Sequence, residues 1–256
     1  MSLLGIIIST VVAAVLCLEA RYAICRAYLN IETTEMTRRP REEWPGGIGA
    51  TPLTTREHWM RHANQALSEL ASPCPFAAFG SVIVNHTDTS LSPLGRLLCA
   101  GVNSGGRRGN PTLHGEMDAI NRCSEVLQSP PFDLAPESAT KAFRDLTLYT
   151  NAEPCPMCAS AIRWAGFREC VYGTSIDTLI KLGWTQIDVP SGEIFARSGR
   201  LPTSTALLPN VLTAETNPFF AWQYNKDAPC PGSCNRADTG TCVPVYRSRP
   251  EIQTQL

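Results

Sequence analysis

The sequence predicts an α/β fold in which a sheet is layered between helices, and three observations carry that expectation. Short apolar, partly β-branched runs alternate with stretches of helical periodicity along the middle of the chain, which is the pattern of a sheet covered by helices rather than of separate α and β blocks. Of 256 residues, 43% are hydrophobic and 18% charged, enough to bury a substantial core in one domain with extensions. The 22 basic and 23 acidic residues leave a formal net charge of -1. That removes the electrostatic footprint of a protein that grips a nucleic-acid backbone, and a small neutral substrate fits better.

Residues 3–18 form an apolar run broken only by Gly5, Ser9 and Thr10, a length suited to a signal-peptide core or a short membrane anchor. No Lys or Arg precedes it, and cleavage after Ala20 would leave the bulky Leu18 where a small residue is preferred. Arg21, Arg26, Arg38, Arg39 and Arg41 follow it and favour an anchor whose C-terminal side is cytosolic. Eleven cysteines weigh the other way, because disulfides are unproductive under reducing conditions. The expectation is therefore a secreted or lumenal protein, bound to a membrane only if residues 1–20 stay as an anchor. The sequon Asn85-His86-Thr87 agrees with it. Residues 21–52 read as an N-terminal arm, Thr-, Arg-, Glu-, Pro- and Gly-rich from about residue 30, and the folded domain is expected over 53–225.

Within that domain, Thr54 and Glu57 form a capping-box signature, and Trp59, Ala63, Ala66, Leu67 and Leu70 recur at helical spacing, predicting a helix that ends before Pro73. Residues 79–84 and 97–102 predict a strand pair across a polar turn. A helix over 114–127, a strand over 146–150, a helix over 156–165 and a strand over 169–173 follow. Residues 176–182 are helical, and 205–212 predict an outer strand that Pro209 confines to an edge or a loop. Phe219 to Tyr224 is an aromatic cluster. Residues 226–256 hold Cys230, Cys234 and Cys242 among Pro, Gly, Asp and Asn, and read as an irregular tail held by cross-links.

Two stretches carry chemistry, His114-Gly115-Glu116 and Glu153-Pro154-Cys155-Pro156-Met157-Cys158. His114, Cys155 and Cys158 supply three ligands of the kind zinc takes, with no obvious fourth, which is the composition of a catalytic site whose remaining position goes to water. Two thiolates spaced Cys-x-x-Cys at a helix start can point at one ion, helped by the positive end of the helix dipole. His114, one turn into its own helix, closes the shell from the opposite side. Glu116 then points about 200° around that helix from His114 and is free to take and pass on a proton.

His114-x-Glu116 followed by Pro154-Cys155-x-x-Cys158 resembles the signature of the cytidine and deoxycytidylate deaminase superfamily. With Asn103, Pro111-Thr112 and Glu153 added, the pattern is most similar to the branch of bacterial guanine deaminase, fungal cytosine deaminase and the tRNA adenosine deaminases. The resemblance covers about residues 55–175. It implies a three-layer α/β/α fold around a mixed sheet of about five strands, one zinc per chain, and hydrolytic deamination of a nucleobase, nucleoside or related amino-heterocycle. Glu116 would shuttle protons from the attacking water to the ring nitrogen and then to departing ammonia. Asn103, eleven residues before His114, would hydrogen-bond the substrate, and Phe219, Phe220 and Trp222 stand where relatives close the site with a C-terminal aromatic lid. A homodimer is also implied by the resemblance alone. No basic RNA-binding surface is evident, so no nucleic-acid partner is expected.

Blander roles stand beside these. Cys-x-x-Cys alone is also a disulfide or redox pair, Asn103 can cap a turn, Glu153 can be structural, and the aromatics can be core. The functional alternatives are a deaminase confined to one secondary-metabolite intermediate, and a non-catalytic, cysteine-stapled binding protein on the same scaffold. Cys99, Cys123 and Cys170 lie in predicted regular elements and read as buried thiols. Cys230, Cys234 and Cys242 are the better disulfide candidates.

Overall fold

The computed structural model describes residues 51–245. The apolar run, the arm up to residue 50 and the tail from residue 246 lie outside the described residues. Helix α1 (Leu53–Leu70) buries Trp59, Met60, Ala63, Ala66 and Leu67 along one face, as the spacing predicts. Its capping box does not form: Pro52 occupies the N-cap without a side-chain bond, and Thr54 already lies inside the first turn.

Strands β1 (Gly80–Asn85) and β2 (Arg96–Val102) pair antiparallel. The short α2 (Gly105–Arg108), then α3 (Gly115–Leu127) and α4 (Pro136–Ala142), lead to β3 (Thr147–Ala152). Helix α5 (Pro156–Ala165) crosses to β4 (Glu169–Thr174), followed by α6 (Ile176–Lys181), α7 (Ser191–Arg197) and the three-residue β5 (Ala206–Leu208). The sheet order is β2-β1-β3-β4-β5. β1 is antiparallel to both neighbours, while β3, β4 and β5 run parallel, so the five-stranded sheet is mixed, and β5 is the short edge strand that Pro209 allows.

Alternation along the strands fills both faces. Val82, Val84, Tyr149 and Val171 pack with α1. Ile83, Leu148 and Cys170 point the other way, against Ala119 and Cys123 of α3 and Ile162 of α5. The result is helix, sheet, helix. The antiparallel register sets Gly80 opposite Val102 and Ser81 opposite Thr150, so the start of β1 and the ends of β2, β3 and β4 meet at one edge of the sheet. Ligands bind at such an edge in open α/β sheets.

The last part of the chain is more ordered than its composition predicts. Helices α8 (Thr213–Thr216) and α9 (Pro218–Ala221) precede a two-stranded hairpin, β6 (Cys234–Arg236) and β7 (Cys242–Pro244). Disulfides Cys230–Cys242 and Cys74–Cys234 hold this hairpin and tie it to the segment after α1. A third disulfide, Cys99–Cys123, corrects the expectation of two buried thiols there. Its cause is the close crossing of β2 and α3: a Cβ on Gly101 would stand 2.2 Å from Ala119 N. Cys170 is a buried free thiol, as expected. Among the described residues no helix is long and apolar enough to cross a membrane.

Candidate active site

His114 is the N-cap of α3, in an extended conformation, and not a residue one turn into the helix as the sequence suggests. From there its imidazole meets the second motif without leaving the sheet edge. Gly115 is the residue that lets α3 begin there, because a Cβ would stand 2.7 Å from Phe79 O. Asp118, 2% exposed, accepts hydrogen bonds from Val102 N and Arg122 Nε and fixes the helix start against the end of β2. Nothing in the spacing of the sequence marks that role for Asp118.

Cys155 is the N-cap of α5, with Pro156 at the first helical position, where its missing N–H costs nothing. Cys158 follows in the first turn. His114 Nδ1 lies 3.5 Å from Cys155 Sγ and 3.6 Å from Cys158 Sγ, and the three donor atoms lie within 4.8 Å of one another. Tetrahedral zinc with bonds of about 2.0–2.1 Å to nitrogen and about 2.3 Å to sulfur separates those atoms by about 3.5 Å. The donor set and its spacing fit that ion.

The electrostatics agree. A hydrogen bond from the Cys158 thiol, joined by the His114 imidazole, holds the Cys155 thiol down at about 4. That same bond and burial push the Cys158 thiol up, and the bond to Cys155 raises His114. Glu116 is 4% exposed; burial first, and the nearby Cys155 second, push its carboxyl up to about 7. A group at that value can gain or lose a proton near neutral pH at little cost.

His114, Glu116 and Cys155 line a cavity of about 380 Å³ together with Asn103 and Glu153, and Cys158 is buried behind it. Asn103 follows β2; its N–H donates to Phe79 O, and its Oδ1 accepts from Gly105 N. Both the turn role and the position facing the cavity are therefore realised. Glu153 lines the cavity but its carboxylate is engaged elsewhere: Oε2 accepts from Ile176 N at 2.8 Å, and Oε1 from Ser191 N and Oγ at 2.8 and 2.7 Å.

The cavity is also lined by the consecutive residues Trp184, Thr185, Gln186 and Ile187, which sequence reasoning missed. They sit between two short helices, in a stretch too brief for a period, and only the Gly183-Trp184 step after α6 hints at them. The Trp184 indole donates to Phe220 O and packs edge-on against Phe79 at 5.3 Å and Phe220 at 5.9 Å between ring centres. Of the expected lid, Phe220 is fully buried behind Trp184 and Trp222 packs against the disulfides of the hairpin. Phe219 borders a separate groove beside Arg61 and Glu215. None of the three lines the cavity.

The family described as the cytidine and deoxycytidylate deaminase zinc-binding region matches residues 53–174. Over that stretch the chain is similar to this deaminase family. The curated relatives it matches are deaminases of guanine and cytosine. A guanine deaminase of Bacillus subtilis is 28% identical over 151 residues, 57% of this chain and 79% of that protein. A probable cytosine deaminase of Schizosaccharomyces pombe is 34% identical over 107 residues, 41% of this chain and 51% of that protein, so the chain spans about half of the yeast protein's length. Among solved structures, a guanine deaminase from Nitrosomonas europaea aligns with a TM-score of 0.44 at 18% identity, covering 72% of this chain and 86% of that one. The deaminase segment contains Asn103, both motifs and their scaffold, whereas the Trp184–Ile187 wall lies beyond it.

Proposed function

We propose that the chain is a zinc-dependent hydrolytic deaminase of an uncharged amino-heterocycle, a free base or nucleoside, and that it works in an oxidising compartment. The observation that carries the chemistry is a buried carboxyl, Glu116, that lines the cavity beside a His, Cys, Cys donor triangle without belonging to it. A structural metal site has no use for such a group. His114 Nδ1, Cys155 Sγ and Cys158 Sγ would hold the ion, and zinc so held would lower the pKa of its water towards about 7.

Glu116 takes a proton from the attacking water on a carboxylate oxygen and delivers it to the ring nitrogen next to the amino-bearing carbon. It then passes the proton of the hydroxyl now on that carbon to the departing amine, the C–N bond breaking as the C=O bond forms, so that one water is consumed and one ammonia released for each ring. Because Asn103 Oδ1 is held by Gly105 N, the amide nitrogen is the part left to donate to a ring acceptor. Trp184 and Phe79 supply flat apolar surface for the ring. Among the described residues no Lys or Arg lines the cavity, which favours a free base or nucleoside over the nucleotide. Three disulfides support the secretory address.

Ammonia release from matched sets of base, nucleoside and nucleoside monophosphate tests this. Turnover is expected with one or more uncharged rings and at least about a hundredfold lower kcat/KM with the monophosphate. Preference for the monophosphate would overturn the substrate class.

A further inference from the structure

Glu153 lines the same cavity as His114, Cys155 and the Trp184–Ile187 stretch, yet its carboxylate bonds to residues that do not line it. Its carboxylate takes Ile176 N on one oxygen and Ser191 N and Oγ on the other, three of the roughly four acceptor positions a carboxylate has. Glu153 and Ser191 are both buried, at 6% and 0% exposure, and all three donors are backbone or hydroxyl groups. Ile176 and Ser191 are the two ends of one segment, and its middle is the Trp184–Ile187 wall. The Glu153 N–H also donates to Thr174 O at 2.7 Å, which fixes the residue itself to the end of β4.

We propose that Glu153 is a positioning residue that sets the distance from the donor triangle to the substrate wall, by clasping both ends of the Ile176 to Ser191 segment. This rests on the cavity being the substrate site. Cys155 lies two residues further along, so a single short stretch fixes one wall through the metal-type ligand and the other through the clasp. Charge-assisted hydrogen bonds in a water-excluded place are strong, and releasing one end lets the wall drift and weakens the grip on the ring. The acid–base chemistry does not pass through Glu153, so binding responds more than turnover.

Two variants test this, Glu153→Gln and Ser191→Ala. The first converts one acceptor oxygen into a donor facing N–H or O–H groups, and the second removes one bond while leaving the carboxylate in place. Both are expected to raise KM about tenfold with kcat within about threefold and bound zinc unchanged. Hydrogen exchange across residues 176–191 is expected to speed up about tenfold, while β3 stays protected. Glu153→Gln losing kcat by a hundredfold at unchanged KM while Ser191→Ala behaves as wild type would overturn the clasp in favour of direct chemistry. Wild-type exchange in Ser191→Ala would also overturn it, and that variant decides if Glu153→Gln does not fold. Should the wild-type chain deaminate no ring, the functional reading fails, and exchange alone then judges the clasp.

Discussion

At His86, the hydrogen-bond partners settle the protonation state. Its Nδ1 lies 2.9 Å from Leu94 O, which can only accept, so Nδ1 carries the hydrogen and Nε2 accepts from the Tyr149 hydroxyl at 2.9 Å. Burial pushes the imidazole below its ordinary value, about 6.5. The unfolded chain takes up a proton just below that pH and the folded chain does not, so the stability is full above it and is lost as pH falls. Melting temperatures at pH 7.5 and 5.5 should show a smaller acid-side drop for His86→Gln than for wild type; equal drops would contradict this. By residue type alone, His86 is no different from His114. What separates them is the second motif, legible at His114 as Glu116 two residues on and Cys155-x-x-Cys158 in the distance. The donor set and Glu116 were therefore readable from residue types and spacing. The engagement of Glu153 with Ile176 and Ser191 was not, because those partners lie 23 and 38 residues away.

Elements with a long apolar stripe, such as α1, and with strong β runs, such as β1 and β2, were legible because burial on one face imposes a period. Helices α4 and α7, of seven residues each, are too short to show one, and the three-residue β5 is defined by its pairing with β4. The α3–β2 contact is likewise a tertiary fact. Backbone lies on backbone at Gly101, and Cys99–Cys123 closes beside it. Gly101→Ala cannot be relieved by turning a side chain, since the nearest atoms are Ala119 N and Gly115 O. It is expected to cost about 3 kcal/mol or more, read as a lower denaturant midpoint with looser metal binding through the displaced His114. A midpoint unchanged from wild type would show that the helix is not held this way.

For the molecule as a whole, residues 53–174 carry the donor triangle and Glu116, and the chain beyond residue 174 supplies the rest of the cavity lining. Trp184 leans on Phe220, and Gln223 accepts from Ala77 N and donates to Pro75 O, so the C-terminal part supports two walls. Cys74–Cys234 joins that part to the segment after α1 across 160 residues of sequence. The expected irregular tail is instead a latch. Cysteine spacing alone leaves its pairing open, because eight cysteines allow about 105 connectivities. Cys74→Ser is expected to lose about 2–5 kcal/mol of stability and to raise KM, with zinc still bound, since no ligand lies in the latched part. Loss of zinc together with the latch would place the metal-binding residues under its control instead.

The central claim is that Glu116 moves the protons of a hydrolytic deamination, and ammonia release by the zinc-loaded chain with Glu116→Gln beside wild type tests it most directly. Wild type should release one ammonia per ring converted, with the variant about 10²- to 10⁴-fold slower in kcat at unchanged zinc content. A Glu116→Gln variant that turns over at the wild-type rate would contradict the claim.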